Sequence, residues 1–222
     1  MFDSVSGLSS ADTSLSDGTP GTRLDEDGRV APMELTRWLH SKVPDLQERW
    51  SHAIRARGLG RDPVIARVLE LFVLQLVYLL PFLLGPYRDQ MQELWDRAAG
   101  LFGSVAAKRG LAAGEAIEEL HMLRELVIRD LYRDPPMGGG VPLSLREILR
   151  LNRALDRAVT HASVGHMDAM FFQFFEGDGV VSILSGDGVA AEAEAQLSVI
   201  GDEVREILSH AAARAPSAGR GN

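Results

Sequence analysis

The sequence predicts an all-α protein: a helical bundle of about six to seven helices, with a long helix at its C-terminal end. Three observations carry that prediction. Apolar residues recur every three to four positions through most of residues 31–213, the period of one helix face. Glycine and proline cluster between these stretches, at Gly58-Leu59-Gly60, Gly85-Pro86, Arg109-Gly110 and residues 134–142. Only residues 180–184, Val-Val-Ser-Ile-Leu between two Gly-Asp-Gly units, read as a strand, and so short a segment is marginal as a sheet.

Each helix follows from its own signals. Residues 32–41 form a short first helix. Pro44 starts a second, with Asp45 and Glu48 near its positive end and Leu46, Trp50, Ala53 and Ile54 on one face. Asp62-Pro63 is a cap followed by a first-turn proline for a third helix. This one is apolar on nearly all sides, as a central helix would be, until Pro81 kinks or ends it. Residues 87–108 turn Met91, Leu94, Trp95, Ala98, Leu101, Phe102 and Val105 inward, and residues 113–132 do the same with Ile117, Leu120, Leu123, Val127 and Leu131. Ser144 with Glu147 three residues on is a capping box for a long helix whose stripe is Leu145, Ile148, Asn152, Leu155, Val159, Ala162 and His166. The last helix, residues 189–213, spaces Ala193, Leu197, Ile200, Val204, Ile207 and Ala211 alternately by four and three, a heptad-like seam.

Charge and composition narrow the function. The net charge is −8, and residues 1–30 hold six acidic residues against Arg23 and Arg29. That Ser- and Asp-rich segment lacks the apolar surface to offset its ordering entropy and is expected to be disordered, as is the tail 214–222. The rest of the chain is mildly acidic and lacks the basic footprint of a phosphate-backbone binder, so no nucleic-acid partner is expected. The absence of cysteine excludes disulfides, thiolate nucleophiles and thiolate-held metals, and suits a cytoplasmic protein. The apolar run 71–84 is 14 residues long, shorter than the roughly 20 a membrane span needs, so no membrane association is expected.

A search for chemistry finds little. His161 and His166 are five apart, whereas helical metal pairs stand three or four apart on one face. No nucleophile elbow, nucleotide-binding glycine loop or acid–base carboxylate pair is present, and Glu115, Glu118 and Glu119 read as a solvated face. The chain is therefore expected to be no enzyme and to need no cofactor or metal. Pocket candidates for a small ligand or haem, the alternative reading, are His121, Asn152, His161 and His166. The densest feature is MDAMFFQFF (167–175), which holds half of the chain's eight phenylalanines. Phenylalanines at four of five successive positions wrap more than one helix face. Met170, Phe171, Phe174 and Phe175, with the seam residues Leu197, Ile200, Val204 and Ile207, are the interface candidates.

Residues 79–132 (LLPFLLGPYRDQ…LVIRDLY) and 151–177 (LNRALDRAVTHASVGHMDAMFFQFFEG) carry a family resemblance. The chain resembles the N-terminal domain of RsbRD-type RsbT co-antagonists, a domain type similar to those at the front of some bacterial sensor histidine kinases. The resemblance implies a helical regulatory or sensory domain, akin to the haem-free globin-like input domains of related regulators, that dimerises and passes a state change through its last helix. It supplies no catalytic residues. No output module follows the last helix, so signalling is expected to run through a homodimer and a protein partner, a signalling kinase or an anti-sigma-type regulator.

Overall fold

Six α-helices and one 3-10 turn make up the described chain, with no strand among the described residues. The computed structural model describes residues 32–57, 63–136, 145–176 and 186–214. The acidic segment 1–30, the caps Asp62 and Ser144, the strand candidate 180–184 and the tail 215–222 lie outside the described residues. The helices are α1 (Pro32–Ala56), α2 (Pro63–Leu79), α3 (Arg88–Lys108), α4 (Ala113–Arg133), α5 (Leu145–Glu176) and α6 (Gly186–Arg214), with the 3-10 turn at Leu80–Leu84. The all-α bundle expected from periodicity is thus the fold.

Two boundaries differ from the sequence reading. Residues 32–56 form one helix, with Pro44 inside it. Pro44 lies on the exposed face, while Leu35, Leu39, Leu46 and Trp50, on either side of it, are buried on the inner face. A proline in a helix interior costs about 3 kcal/mol through its missing N–H and its ring. Burial of four large side chains, each worth about 1.5–3 kcal/mol, outweighs that cost and keeps the two halves in line. The second Gly-Asp-Gly unit (186–188) is not a turn but the first turn of α6. Pro81 acts as expected: α2 ends at Leu79 and the chain tightens into the 3-10 turn.

Cross-links between helices fix their directions. Arg55 meets Glu70 while the Gln47 amide donates to the Leu74 carbonyl, so α1 and α2 are antiparallel. Arg57–Glu118 and Lys42–Asp134 make α1 and α4 antiparallel. Lys108–Glu192 and Arg97–Glu203 do the same for α3 and α6. The Trp95 indole donates to the Ala154 carbonyl near the start of the α3–α5 contact, and Gly103 meets Ala162 further on, so α3 and α5 run parallel. The hub is α3, which packs on α2, α4, α5, α6 and the 3-10 turn. Sequence apolarity pointed to α2 as the central helix; the structure gives that place to α3, rich in small residues.

The α3–α5 contact is the tightest in the protein. A Cβ built on Gly103 would stand 1.8 Å from the Ala162 carbonyl oxygen, and one on Gly165 would stand 1.9 Å from the Gly100 carbonyl oxygen. Each helix therefore sets a glycine against the backbone of the other. Helices normally pack with axes about 8–10 Å apart, and only small residues at the crossing permit closer approach. This contact also corrects the stripe read for α5. The buried face consists of Glu147, Leu151, Ala154, Leu155, Ala158, Ala162, His166 and Ala169; of the stripe read from sequence, Leu145 is exposed and Ile148, Asn152 and Val159 are half-buried.

Replacing Gly103 with Ala should cost about 3 kcal/mol or more, the upper end for overpacking, because a carbonyl rather than a flexible side chain must move. Gly114→Ala is the matched control. Nothing lies within 4 Å of a Cβ there, so a gain of about 0.4–1 kcal/mol is expected. Urea unfolding of both variants measures the pair.

Candidate functional site

Two places combine unusual side chains: an open groove beside α3, and a buried charged pair at the α3–α4 corner.

Helices α5 and α6 flank α3 without a packed seam between them. The gap is a groove of about 880 Å³. Leu101 and Ser104 lie in its floor; Val164, Ala169 and Phe172 stand on the α5 wall and Gln196 and Val199 on the α6 wall. Val164, Phe172 and Val199 are exposed apolar side chains. The Arg97–Glu203 and Lys108–Glu192 ion pairs cross from α3 to α6 along its margin and leave little net charge there. Beyond the groove, α5 continues into the Met/Phe segment. Met167, Met170, Phe171, Phe172 and Phe174 are between 44% and 73% exposed, and the rings of Phe171 and Phe172 meet edge to face. Apolar side chains so exposed on several sides of one helix end are outside the ordinary scatter of surface hydrophobics. The Phe175 side chain lies outside the described residues.

The seam residues behave differently from expectation. Leu197, Ile200 and Val204 are 5%, 2% and 1% exposed, and Ile207 packs half-buried against the same core. The α6 seam is spent on α2 and α3 of its own chain, so these four side chains are not a surface for a second chain. Heptad-like spacing marks a buried helix face whichever helix covers it.

The four pocket candidates are not brought together. His121 is exposed on α4. Asn152 is half-buried and donates to the Ile148 carbonyl of its own helix. It lies at the edge of the buried face rather than within it, which explains a polar residue at that position. His161 lines the groove, with Nε2 3.5 Å from the Asp96 carboxylate. His166 is buried on the other side of α5, its Nε2 2.8 Å from the Leu111 carbonyl oxygen, which makes Nε2 the protonated nitrogen.

Leu111 belongs to the α3–α4 corner, a tightly specified turn. Gly110 has φ +77°. The Leu111 N–H donates to the Ala106 carbonyl and the Gly110 N–H to the Ala107 carbonyl, the paired closure of a glycine-ended helix. The Glu115 carboxylate then accepts from the Ala112 N–H at 2.8 Å to open α4. Beneath this turn lie two charges that sequence reasoning missed. Glu119 is fully buried and the Arg109 side chain is 5% exposed, with Nη2 3.8 Å from Oε1. None of Arg109 Nη1 and Nη2 or Glu119 Oε1 and Oε2 has a hydrogen-bond partner among the described residues. Burial pushes the Glu119 carboxyl above the ordinary glutamate value, against the pull of Arg109 and Arg57. Burial likewise lowers the Arg109 guanidinium. In both groups desolvation outweighs the attraction between them.

The expected solvated face of α4 is therefore only Glu115 and Glu118; Glu119 points inward. A second acid, Asp130, is also buried on α4, but it is bonded to Arg49 of α1. The sequence did hold a signal. Glu119 and Asp130 are eleven residues apart, three turns on one face, and share that face with Leu120, Leu123 and Val127.

Comparison with protein-family models, characterised proteins and solved structures finds no match for this chain.

Breaking a buried ion pair by removing one partner strands a charge in the interior, typically at about 3–5 kcal/mol, while replacing both with apolar groups is often neutral or stabilising. Arg109→Met and Glu119→Leu should each lower the unfolding free energy on that scale, and the double variant should recover most of the loss. A double-mutant cycle in urea checks it, and additive single losses would contradict it.

Proposed function

We propose that the chain is a non-catalytic regulatory module of the kind its family resemblance implies, one that pairs with a second copy and engages a protein partner through the Met/Phe end of α5 and the adjoining groove. The single observation behind this reading is the exposure of Met167, Met170, Phe171, Phe172 and Phe174 on consecutive turns of a helix anchored rigidly to α3. Such a surface costs solubility unless another chain covers it. Methionine and phenylalanine are side chains that adapt to and anchor protein contacts.

The groove adds a receiving surface. Phe172 belongs both to the Met/Phe segment and to the groove wall. Self-pairing through α5 replaces the α6 seam as the proposed contact. A signalling kinase or an anti-sigma-type regulator remains the proposed class of further partner. The cytoplasm is the proposed compartment, and neither a cofactor nor nucleic acid enters the reading. One stretch, Ala66–Leu84, is long and apolar enough to cross a membrane. It is 61% buried in the fold, with α1, α3 and α6 packed on it, which favours its reading as core.

Sedimentation tests the proposal. The wild-type chain should be dimeric at micromolar concentration, and Phe171→Ser with Phe174→Ser should make it monomeric while leaving the melting temperature within a few degrees. Leu197→Glu should instead collapse the fold, because its side chain is core. A wild-type chain that stays monomeric at high micromolar concentration would remove the reading.

A further inference from the structure

We propose that the Arg109–Glu119 pair is a proton-operated joint that ties the α3–α4 corner to α5. The inference stands on placement. The two charged groups are buried, 3.8 Å apart, and neither Arg109 Nη1 and Nη2 nor the two Glu119 oxygens has a hydrogen-bond partner among the described residues. A carboxylate in a permanently ionic core position normally accepts several hydrogen bonds, and Asp130 on the same helix does have its arginine partner bonded. Among the described residues, Glu119 has only the through-space attraction of Arg109 and Arg57 to hold its charge.

The surroundings convert a change at Glu119 into movement elsewhere. Its backbone carbonyl accepts the Trp50 indole N–H of α1 at 2.7 Å. Arg57 at the end of α1 bonds Glu118 and also acts electrostatically on Glu119. From α4 itself, Glu115 lies within electrostatic reach of both Arg109 and Glu119. From α5, His166 binds Leu111, two residues beyond Arg109, and His166 is four residues before Met170. Among the described residues, the charged and titratable groups that bond or act on the joint are Arg57 at the end of α1, Arg109 at the end of α3, Glu115 and Glu118 from α4, and His166 from α5.

When Glu119 takes up a proton, its charge disappears and Arg109 loses its nearest partner. The guanidinium then turns toward Glu115, the remaining carboxylate of the corner. Glu115 is the group that holds the Ala112 N–H, so the first turn of α4 loosens along with the Leu111 carbonyl that anchors His166. The direction of the Glu119 shift agrees with this. A carboxyl raised by burial binds its proton more tightly folded than unfolded, so its contribution to stability is present at low pH and fades as pH rises through the raised value. Protonation therefore relieves Glu119 while it redirects Arg109. The inference needs no partner chain and stands apart from the self-pairing proposed above.

The test is a pH titration of the isolated chain by NMR. The Glu119 side-chain carboxyl carbon and the Trp50 indole N–H should titrate together, with one midpoint above the ordinary glutamate value, and the amides of residues 110–112 should follow. In Glu119→Gln the Trp50 and corner transitions should vanish; in His166→Gln, which keeps a donor for Leu111, they should persist. A Glu119 carboxyl that titrates at the ordinary value would overturn the proposal without need of any variant. So would a Trp50 transition that survives Glu119→Gln or disappears in His166→Gln.

Discussion

The contact on which the rest of the structure depends is the backbone-to-backbone seating of α3 against α5. Gly100 and Gly103 on one helix and Ala162 and Gly165 on the other bring carbonyl groups to positions a single Cβ would occupy. Packing this close leaves no room for sliding, so α3 and α5 behave as one rigid unit. Every other element is positioned by what that unit leaves uncovered. Helices α2 and α6 cover the remaining faces of α3, α4 lies against α5, and α1 closes the far side across α2 and α4.

Three indole N–H groups cross-stitch this arrangement. Trp38 donates to the Asp134 carbonyl, Trp50 to the Glu119 carbonyl and Trp95 to the Ala154 carbonyl, each joining two helices. A buried indole must place its one donor, and a helix carbonyl with a second lone pair can accept it without breaking its own helix bond. These bonds supply direction where apolar packing alone supplies only proximity. The buried charges act in the same way at greater cost. Asp130 is matched to Arg49, whereas Glu119 and Arg109 are close but unbonded, so half of the eight buried side-chain atoms without a partner among the described residues lie at the α3–α4 corner.

The surface features follow from the same geometry. Because α5 and α6 each pack on α3, the space between them is an open trough, and because α5 is 32 residues long its final turns carry their phenylalanines away from the core. A helix rises 1.5 Å per residue, so α5 spans about 48 Å against about 32 Å for the 21-residue α3. The excess length is where Met170, Phe171 and Phe174 lie exposed. An apolar helix end, an open trough beside it and a corner with unbonded charges are the features on which the proposed reading and the further inference rest.

The sequence by itself determined that the protein is helical, where most helices begin and end, and that residues 167–175 are unusual. These follow from local chemistry: period, glycine and proline, and caps act within a few residues and read the same in any fold. Which face of each helix turns inward was settled only by tertiary packing. Periodicity ranks faces by apolar bulk, but the α3–α5 crossing selects for smallness, so Ala154 and Ala158, absent from the stripe read from sequence, are buried while Leu145 is left outside. The heptad-like spacing of α6 identified a buried face without revealing that the chain's own α2 and α3 bury it. Pro44 marked a local break that long-range burial on both sides overrode. Glu119 looked like one of three surface acids; the face it shares with Leu120, Leu123 and Val127 was the local sign of its burial, whereas its neighbours Arg109 and Trp50 arrive from other elements and leave no such sign.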